Sequence, residues 1–387
     1  MLSLIAFAAF AAWGWLTLMR GGFWSASERL DDKPDPAAWP EVVAVIPARD
    51  EAETIGDVIR AHMAADYPGK LSVILADDGS ADGTADIARA AASESERTLE
   101  IVSVPSLPEG WTGKLWAVEN GLKRAKEIAP EAKYVLLTDA DIALARDTLS
   151  RLVAKAEDRD FALVSLMARL DSRGPWASFL IPAFIYFFQK LYPFSRANDP
   201  DDNMAAAAGG CMLARRETIE GIGGMARIKG ALIDDCAFAK AIKDLTPSTR
   251  IWIGLASDEA ISLRDNREFS SIWNMVARTA YAQLHYSPLL LVGTVFGMAL
   301  IYLAAPLILL TAFWHWNFAA IFYAAGASCL MAYTYWPTLR LYGRAPWEAA
   351  LLPVAAGLYT AMTISSALRH MRGDGGQWKG RTYSSAI

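Results

Sequence analysis

The hydrophobic positions of this chain follow two regimes. Near both ends they run almost unbroken, and in the middle they come in short bursts separated by charged and glycine-bearing stretches. The first unbroken run, 2–19, is just long enough to span a bilayer and is followed at once by Arg20. No positive charge precedes it, so an uncleaved anchor is expected rather than a cleaved signal peptide. Arg20, Arg29 and Lys33 then place its C-terminal flank in the cytosol. Runs at 289–313 and 318–337 form a hydrophobic pair. They are joined by Trp314, His315, Trp316 and Asn317, a link without Lys or Arg whose tryptophans suit the far membrane face. Residues 347–368 could cross again, but Arg340 and Arg344 precede them and Arg369, Arg372, Lys379 and Arg381 follow. A re-entrant or surface-lying segment broken near Pro353 reconciles basic residues on both flanks, and a further crossing is the alternative. Residues 176–192 are aromatic, apolar, short for a span and interrupted by Pro182. They read as a helix lying on the bilayer, with a buried core helix as the alternative.

Between these runs, strand-like bursts alternate with helix-like stretches. Strands are predicted over 42–47, 72–76, 100–104 and 134–138, and helices over 54–65, 84–92, 114–125 and 146–156, with Thr54 as a cap of the first helix. That alternation predicts an α/β domain with a mostly parallel sheet and helices on both faces. In such sheets ligands bind beyond the carboxyl ends of the strands. The resulting division is an anchor at 1–20, a Pro-rich linker at 21–40, and a cytosolic domain at 41–285 that includes the 176–192 helix. A transmembrane hairpin at 286–338 and a membrane segment with a basic tail at 339–387 complete it.

Composition narrows the function. Hydrophobic residues make up 53% of the chain, an excess concentrated in the end runs. The net charge is -5 and no long basic run occurs, which argues against a nucleic-acid partner. Cys211, Cys236 and Cys329 show no CxxC spacing, so neither a disulfide framework nor a zinc site is expected. His62, His285 and His370 lack ligand spacing and are expected at the surface or interface.

Carboxylates carry the candidate chemistry. The 42–47 strand runs into Pro47, Ala48, Arg49, Asp50 and Glu51, and the second strand runs into Asp77-Asp78-Gly79. A carboxylate at such a strand end can accept hydrogen bonds from a uracil or ribose edge; a turn is the simpler reading. The 134–138 strand leads into Asp139-Ala140-Asp141. Two carboxylates one residue apart can hold Mg²⁺ or Mn²⁺, which bind through few protein oxygens plus substrate phosphates. Asp234 and Asp235 follow a glycine-rich stretch and precede a helical one, where they can supply a general base or simply cap the helix.

In this order the segments IPARDE, ADDGSADGT, GKLWAVENG, LTDADIAL, GGCMLARR and LIDDCAFAK, covering most of 41–245, resemble glycosyltransferase family 2. Within it the chain is most similar to the hopanoid-biosynthesis-associated glycosyltransferases, a likeness extended by RTAYAQLHYSP and WKGRTY. The resemblance implies the GT-A nucleotide-diphospho-sugar transferase fold plus transmembrane helices, and an inverting transfer of sugar from a nucleotide donor, expected to be UDP-linked. The implied acceptor is a membrane lipid such as a hopanoid. It further implies a multi-pass protein of the bacterial inner membrane with the catalytic domain in the cytoplasm. Asp78, with Asp77, Pro47 and Glu51, would contact the nucleoside end of the donor. Lys114 and Asn120 would shape its pocket, Asp139 and Asp141 would hold the ribose or diphosphate and the metal, and Asp235 would be the base with Asp234 supporting it. The Gln-x-x-Arg-Trp motif that related processive and lipid-glycosylating enzymes often carry is absent. Arg278 stands in that region as a candidate diphosphate partner, and Arg381 is a second candidate or a membrane-surface anchor. One sugar per event is expected. The competing functions are transfer to a polyprenyl phosphate and a non-catalytic scaffold that binds nucleotide sugars.

Overall fold

The computed structural model describes residues 1–93, 95–246 and 248–373, together with the backbone of 377–378 and 381–382. In chain order the elements are α1 (Leu2–Met19), β1 (Val42–Ala48), α2 (Ile55–Met63), β2 (Leu71–Asp77), α3 (Thr84–Ala92), β3 (Leu99–Ser103), α4 (Gly113–Ile128), β4 (Tyr134–Thr138), β5 (Ile142–Leu144) and α5 (Thr148–Arg159). They continue with β6 (Leu163–Met167), α6 (Pro175–Leu191), α7 (Phe194–Asn198), β7 (Cys211–Arg215), α8 (Arg216–Gly221), α9 (Asp234–Lys243), β8 (Ile251–Leu255) and β9 (Ala260–Ser262). The C-terminal helices are α10 (Phe269–Ala277), α11 (Pro288–Met298), α12 (Ala305–Leu310), α13 (Ala312–His315), α14 (Phe318–Leu341) and α15 (Leu352–Met371).

The chain forms two compact units. One is α/β, built from Glu28–Asp171 and Arg196–Arg264. Its seven-stranded sheet has the order β3-β2-β1-β4-β7-β6-β8. The neighbours are parallel except β7, which runs antiparallel to both β4 and β6. Strand β1 is buried along its whole length, and β4, β6 and β8 likewise, which explains their continuous apolar runs. Separate apolar cores fill the two faces. Ala44, Ile46, Leu75 and Leu136 lie in one, and Val43, Val45, Ile74 and Leu137 in the other, as the two-residue period of a strand requires. Helix α4 packs closest at Gly121, where an added Cβ would lie 2.4 Å from Val45 Cγ1. His62 is buried in this unit, not at a surface: its ring nitrogens lie 3.1 Å from the Val58 carbonyl and 3.2 Å from Thr138 Oγ1.

The other unit is helical and gathers Met1–Ser27, Ser172–Ser195 and the chain from Asp265 onward through α15. Among the described residues, four of its segments are long and apolar enough to cross a membrane: Leu2–Met19, Pro288–Leu310, Phe318–Leu341 and Pro346–Met371. The second is α11 and α12 joined by a π-helical stretch, Ala299–Ala304, just before Pro306. Proline has no N–H for the carbonyl four residues back, which loosens the helical ladder at that point.

The units differ from the expected division. The stretch 41–285 is not one domain, because Ser172–Ser195 and the residues after Arg264 belong with the apolar helices. Helix α6 was expected on the bilayer, at the edge of the soluble domain. Its Leu180, Ile181, Ala183, Ile185 and Tyr186 are instead buried in the helical unit, with the Tyr186 hydroxyl 2.8 Å from Thr334 Oγ1 and Tyr359 donating to the Leu180 carbonyl at 2.9 Å. Aromatic richness marks a helix packed among apolar helices as readily as one lying at an interface, so composition alone did not separate the two.

Candidate functional site

The acidic segments gather at the C-terminal end of the parallel strands. Thr112 caps α4, its hydroxyl accepting from the Leu115 amide at 3.3 Å, and this fixes Lys114 in the first turn. Strand β4 delivers Asp139 beside it. Because β7 pairs antiparallel with β4, Thr138 opposite Cys211, the chain just before β7 returns Gly209 and Gly210 to the same edge. The Gly209 amide donates to Asp235 Oδ2 at 3.0 Å. A Cβ at Gly209 would meet Lys114 Nζ at 3.2 Å and Asp235 Cβ at 3.5 Å, so this backbone runs close against the end of the Lys114 side chain.

Lys114 ties two segments together. Its ammonium lies 2.9 Å from Asp139 Oδ1 and 3.1 Å from Asp234 Oδ2. Burial works against that charge, yet the carboxylates hold the ammonium pKa above its ordinary value. These groups line a pocket with Pro47, Leu137, Gly209 and Phe238. Asp234 and Asp235 open α9, where the helix dipole favours negative charge. Burial and then the neighbouring Asp234 nevertheless push Asp235 up to about 6. Asp139 is also raised, first by burial and then by Asp141, against the pull of Lys114.

Asp141 is buried and pairs with Arg264, whose Nε lies 2.9 Å from Oδ2. The pair Asp139 and Asp141 therefore has a cation on each member. Among the described residues no group of three or more His, Cys, Asp and Glu side chains converges to hold a metal. This donor set suits a divalent ion that takes one or two carboxylates and completes its shell with water and substrate phosphates. Lys114 and Arg264 show that both carboxylates accept positive charge.

The nucleoside-side residues lie at the ends of β1 and β2. Asp78 is buried, and Arg49 Nη1 donates to its carbonyl at 2.5 Å and lies 3.6 Å from its carboxylate. Asp77 closes a turn by accepting from the Ser80 amide at 3.1 Å. The Glu51 amide donates to Thr84 Oγ1 at 2.9 Å, locking the first loop to the second. Asn120 does not line the pocket; its Nδ2 donates to the Trp116 carbonyl one turn back. Arg278 lies in the helical unit just after α10, and the side chain of Arg381 lies outside the described residues. Arg49 and Arg264 were missed as site residues. Arg49 sat inside a quoted motif, but nothing in the sequence pointed to Arg264, which meets Asp141 only through the fold. Thr54 occupies its expected cap position, yet its hydroxyl donates to the Ala140 carbonyl at 3.0 Å.

Residues 43–223 match the model of the family described as glycosyl transferase family 2. Over these residues the chain is similar to that family. An N-acetylglucosaminyltransferase from Mesorhizobium japonicum is 30% identical over 156 residues, which is 39% of this chain and 34% of that protein. The chain thus spans about a third of the length of that curated relative. Among solved structures, the mannosyltransferase PcManGT from Pyrobaculum calidifontis, in complex with GDP-Man and Mn²⁺, has a TM-score of 0.53 at 22% identity. That match covers 96% of this chain and 99% of the other and establishes a shared fold.

Proposed function

We propose that this chain is an inverting glycosyltransferase that moves one sugar from a nucleoside-diphosphate donor to a lipid hydroxyl at the membrane. The observation that carries this is the convergence of Lys114, Asp139 and Asp234, with Asp235 one residue on, at the end of the sheet. Asp78 and Arg49 border the nucleoside end of the donor site, and Pro47 lines the pocket beside Asp139. Lys114 is positioned to meet the diphosphate while staying paired with carboxylates. Asp139 and Asp141 would hold Mg²⁺ or Mn²⁺, which when bound neutralises the charge that builds on the departing diphosphate. Asp235 takes the proton from the acceptor hydroxyl as its oxygen attacks the anomeric carbon. The oxygen–carbon bond forms as the carbon–phosphate oxygen bond breaks on the opposite face, the configuration inverts, and the nucleoside diphosphate leaves.

The four apolar helices support a lipid acceptor, and a hopanoid is the acceptor that the sequence resemblance favours. The donor proposed is UDP-linked. The location proposed is the bacterial inner membrane with the α/β unit in the cytoplasm, a reading supported by the basic flank of α1.

Purified full-length protein should release nucleoside diphosphate from a panel of UDP- and GDP-sugars only with Mg²⁺ or Mn²⁺ and lipid extract. Mass spectrometry of membrane lipids with and without the gene should show one glycosylated lipid disappearing. No metal-dependent turnover with any donor would leave a binding scaffold, and an Asp235→Asn variant with full activity would favour a phosphate acceptor that needs no base.

A further inference from the structure

The two-stranded ribbon beside the candidate site carries a cation that takes no part in the bond changes of the transfer. Strands β5 and β9 pair antiparallel, Ile142 opposite Ser262, and the Leu263 amide extends the ladder by donating to the Asp141 carbonyl at 2.7 Å. Asp141 therefore stands just before one strand and Arg264 just after the other, held in register by the same backbone pairing. The Arg264 amide also donates to Ser262 Oγ at 3.4 Å. The fold thus brings the guanidinium to Asp141, with Nε 2.9 Å from Oδ2.

This pair differs from an ordinary surface ion pair. The Asp141 side chain is 10% exposed and that of Arg264 is 41% exposed, so the carboxylate is enclosed while the guanidinium keeps an open side. Burial opposes the Arg264 charge, yet Asp141, and after it Asp139 and Glu51, hold its pKa above the ordinary value. An enclosed carboxylate stripped of its counter-charge is costly, so Asp141 keeps Arg264 until another cation takes its place. One carboxylate carries a single negative charge and cannot satisfy a divalent ion and a guanidinium together. A nucleoside diphosphate supplies the missing negative charge, and its oxygens match the planar N–H fork of arginine. Lys114 is less free to turn, since its ammonium is shared by Asp139 and Asp234.

We propose that Arg264 is the resident counter-ion of Asp141 in the empty site and a diphosphate partner in the loaded one, so that it couples metal binding to nucleotide binding. The proposal rests on the glycosyl-transfer reading and lies wholly within the α/β unit. With metal alone, Arg264 gives up Asp141 and gains nothing in return, which weakens metal binding. With a nucleoside diphosphate also present, Arg264 exchanges one anion for another, so each ligand tightens the other. One residue thereby acts in opposite directions on the two ligands.

The test uses the full-length protein in detergent. Binding of Mn²⁺ is followed by the EPR signal of the free ion, and binding of UDP and of GDP by calorimetry with Mn²⁺ present. In wild type, Mn²⁺ should bind about tenfold more tightly with the preferred nucleotide than alone. Arg264→Gln should bind Mn²⁺ alone about tenfold more tightly than wild type, and the nucleotide with Mn²⁺ about tenfold more weakly, the order of one charge-assisted hydrogen bond. A purely structural pair would instead weaken both ligands together. Arg264→Lys keeps Asp141 partnered but lacks the fork. It should match wild type for Mn²⁺ alone and bind the nucleotide about threefold more weakly. Arg264→Lys carries the test if Arg264→Gln does not fold, and wild-type nucleotide affinity in it would overturn the proposal. So would an Arg264→Gln affinity for Mn²⁺ alone that is unchanged or weaker, or an unchanged affinity for the nucleotide. Wild type that binds neither Mn²⁺ nor nucleotide would overturn the glycosyl-transfer reading and this proposal with it.

Discussion

At the scale of single residues, Asp235 bears the most specific consequences. As the proposed base, Asp235 must be ionised to accept a proton, so its raised pKa should set the acid limb of the rate profile. The rate should rise with pH through about 6 and level off above it, as read from initial rates at saturating donor and metal. Asp235→Asn should lower kcat by roughly 10²- to 10⁴-fold and leave donor KM nearly unchanged. The stability effect has the opposite sign. A carboxyl whose folded pKa is raised is easier to ionise in the unfolded chain, so ionisation costs stability as pH climbs from the ordinary carboxylate range through about 6. Above that window Asp235→Asn should melt higher than wild type, and below it the two should converge. Lys114 is expected to behave differently, since Lys114→Met strips a counter-charge from both Asp139 and Asp234. A loss of about 1.5–3 kcal/mol in denaturant titrations is expected, together with a raised donor KM. The carboxylates themselves were legible as candidates, because Asp139 and Asp141 directly follow a buried apolar strand. Their partners were not legible, because Lys114 and Arg264 reach them from distant segments.

At the scale of elements, α4 is the one to probe. It carries Lys114 on its first turn and seats on the sheet through Gly121, where the smallest side chain would already lie 2.4 Å from Val45. Gly121→Ala should therefore destabilise by about 1–3 kcal/mol as helix and sheet separate. Gly297→Ala, in α11 with nothing near its Cβ position, should be neutral or slightly stabilising, both variants being compared with wild type by thermal unfolding. The strand predicted at 42–47 and the helix at 84–92 were legible from the apolar runs and turn residues alone. The antiparallel β7 was not foreseen, although its segment GGCMLARR was part of the family resemblance. Without β7 beside β4, Gly209 would not reach the Asp139 edge, and Asp235 would lack that amide donor.

At the scale of the whole molecule, the basic residues around Pro346–Met371 make a prediction about the tail. We expect that segment to re-enter, leaving Arg372, Lys379 and Arg381 on the cytoplasmic side with the flank of α1. A cysteine at position 384, with Cys329 replaced by Ser, should react with a membrane-impermeant thiol reagent in inside-out vesicles and stay protected in spheroplasts. Labelling in spheroplasts would instead mark a full crossing, since 26 residues are enough for one.

The sequence by itself determined where the apolar spans lie, that strands alternate with helices between them, and which carboxylates stand at strand ends. These are local properties, written in the period of hydrophobic positions and in the residues that end each run. The tertiary structure decided that α6 belongs with the apolar helices, that His62 is buried against Thr138, that Asp141 faces Arg264, and that Lys114 joins Asp139 to Asp234. Each of these joins segments far apart in the chain. Such contacts follow from strand order, register and helix packing, which no short stretch of sequence encodes.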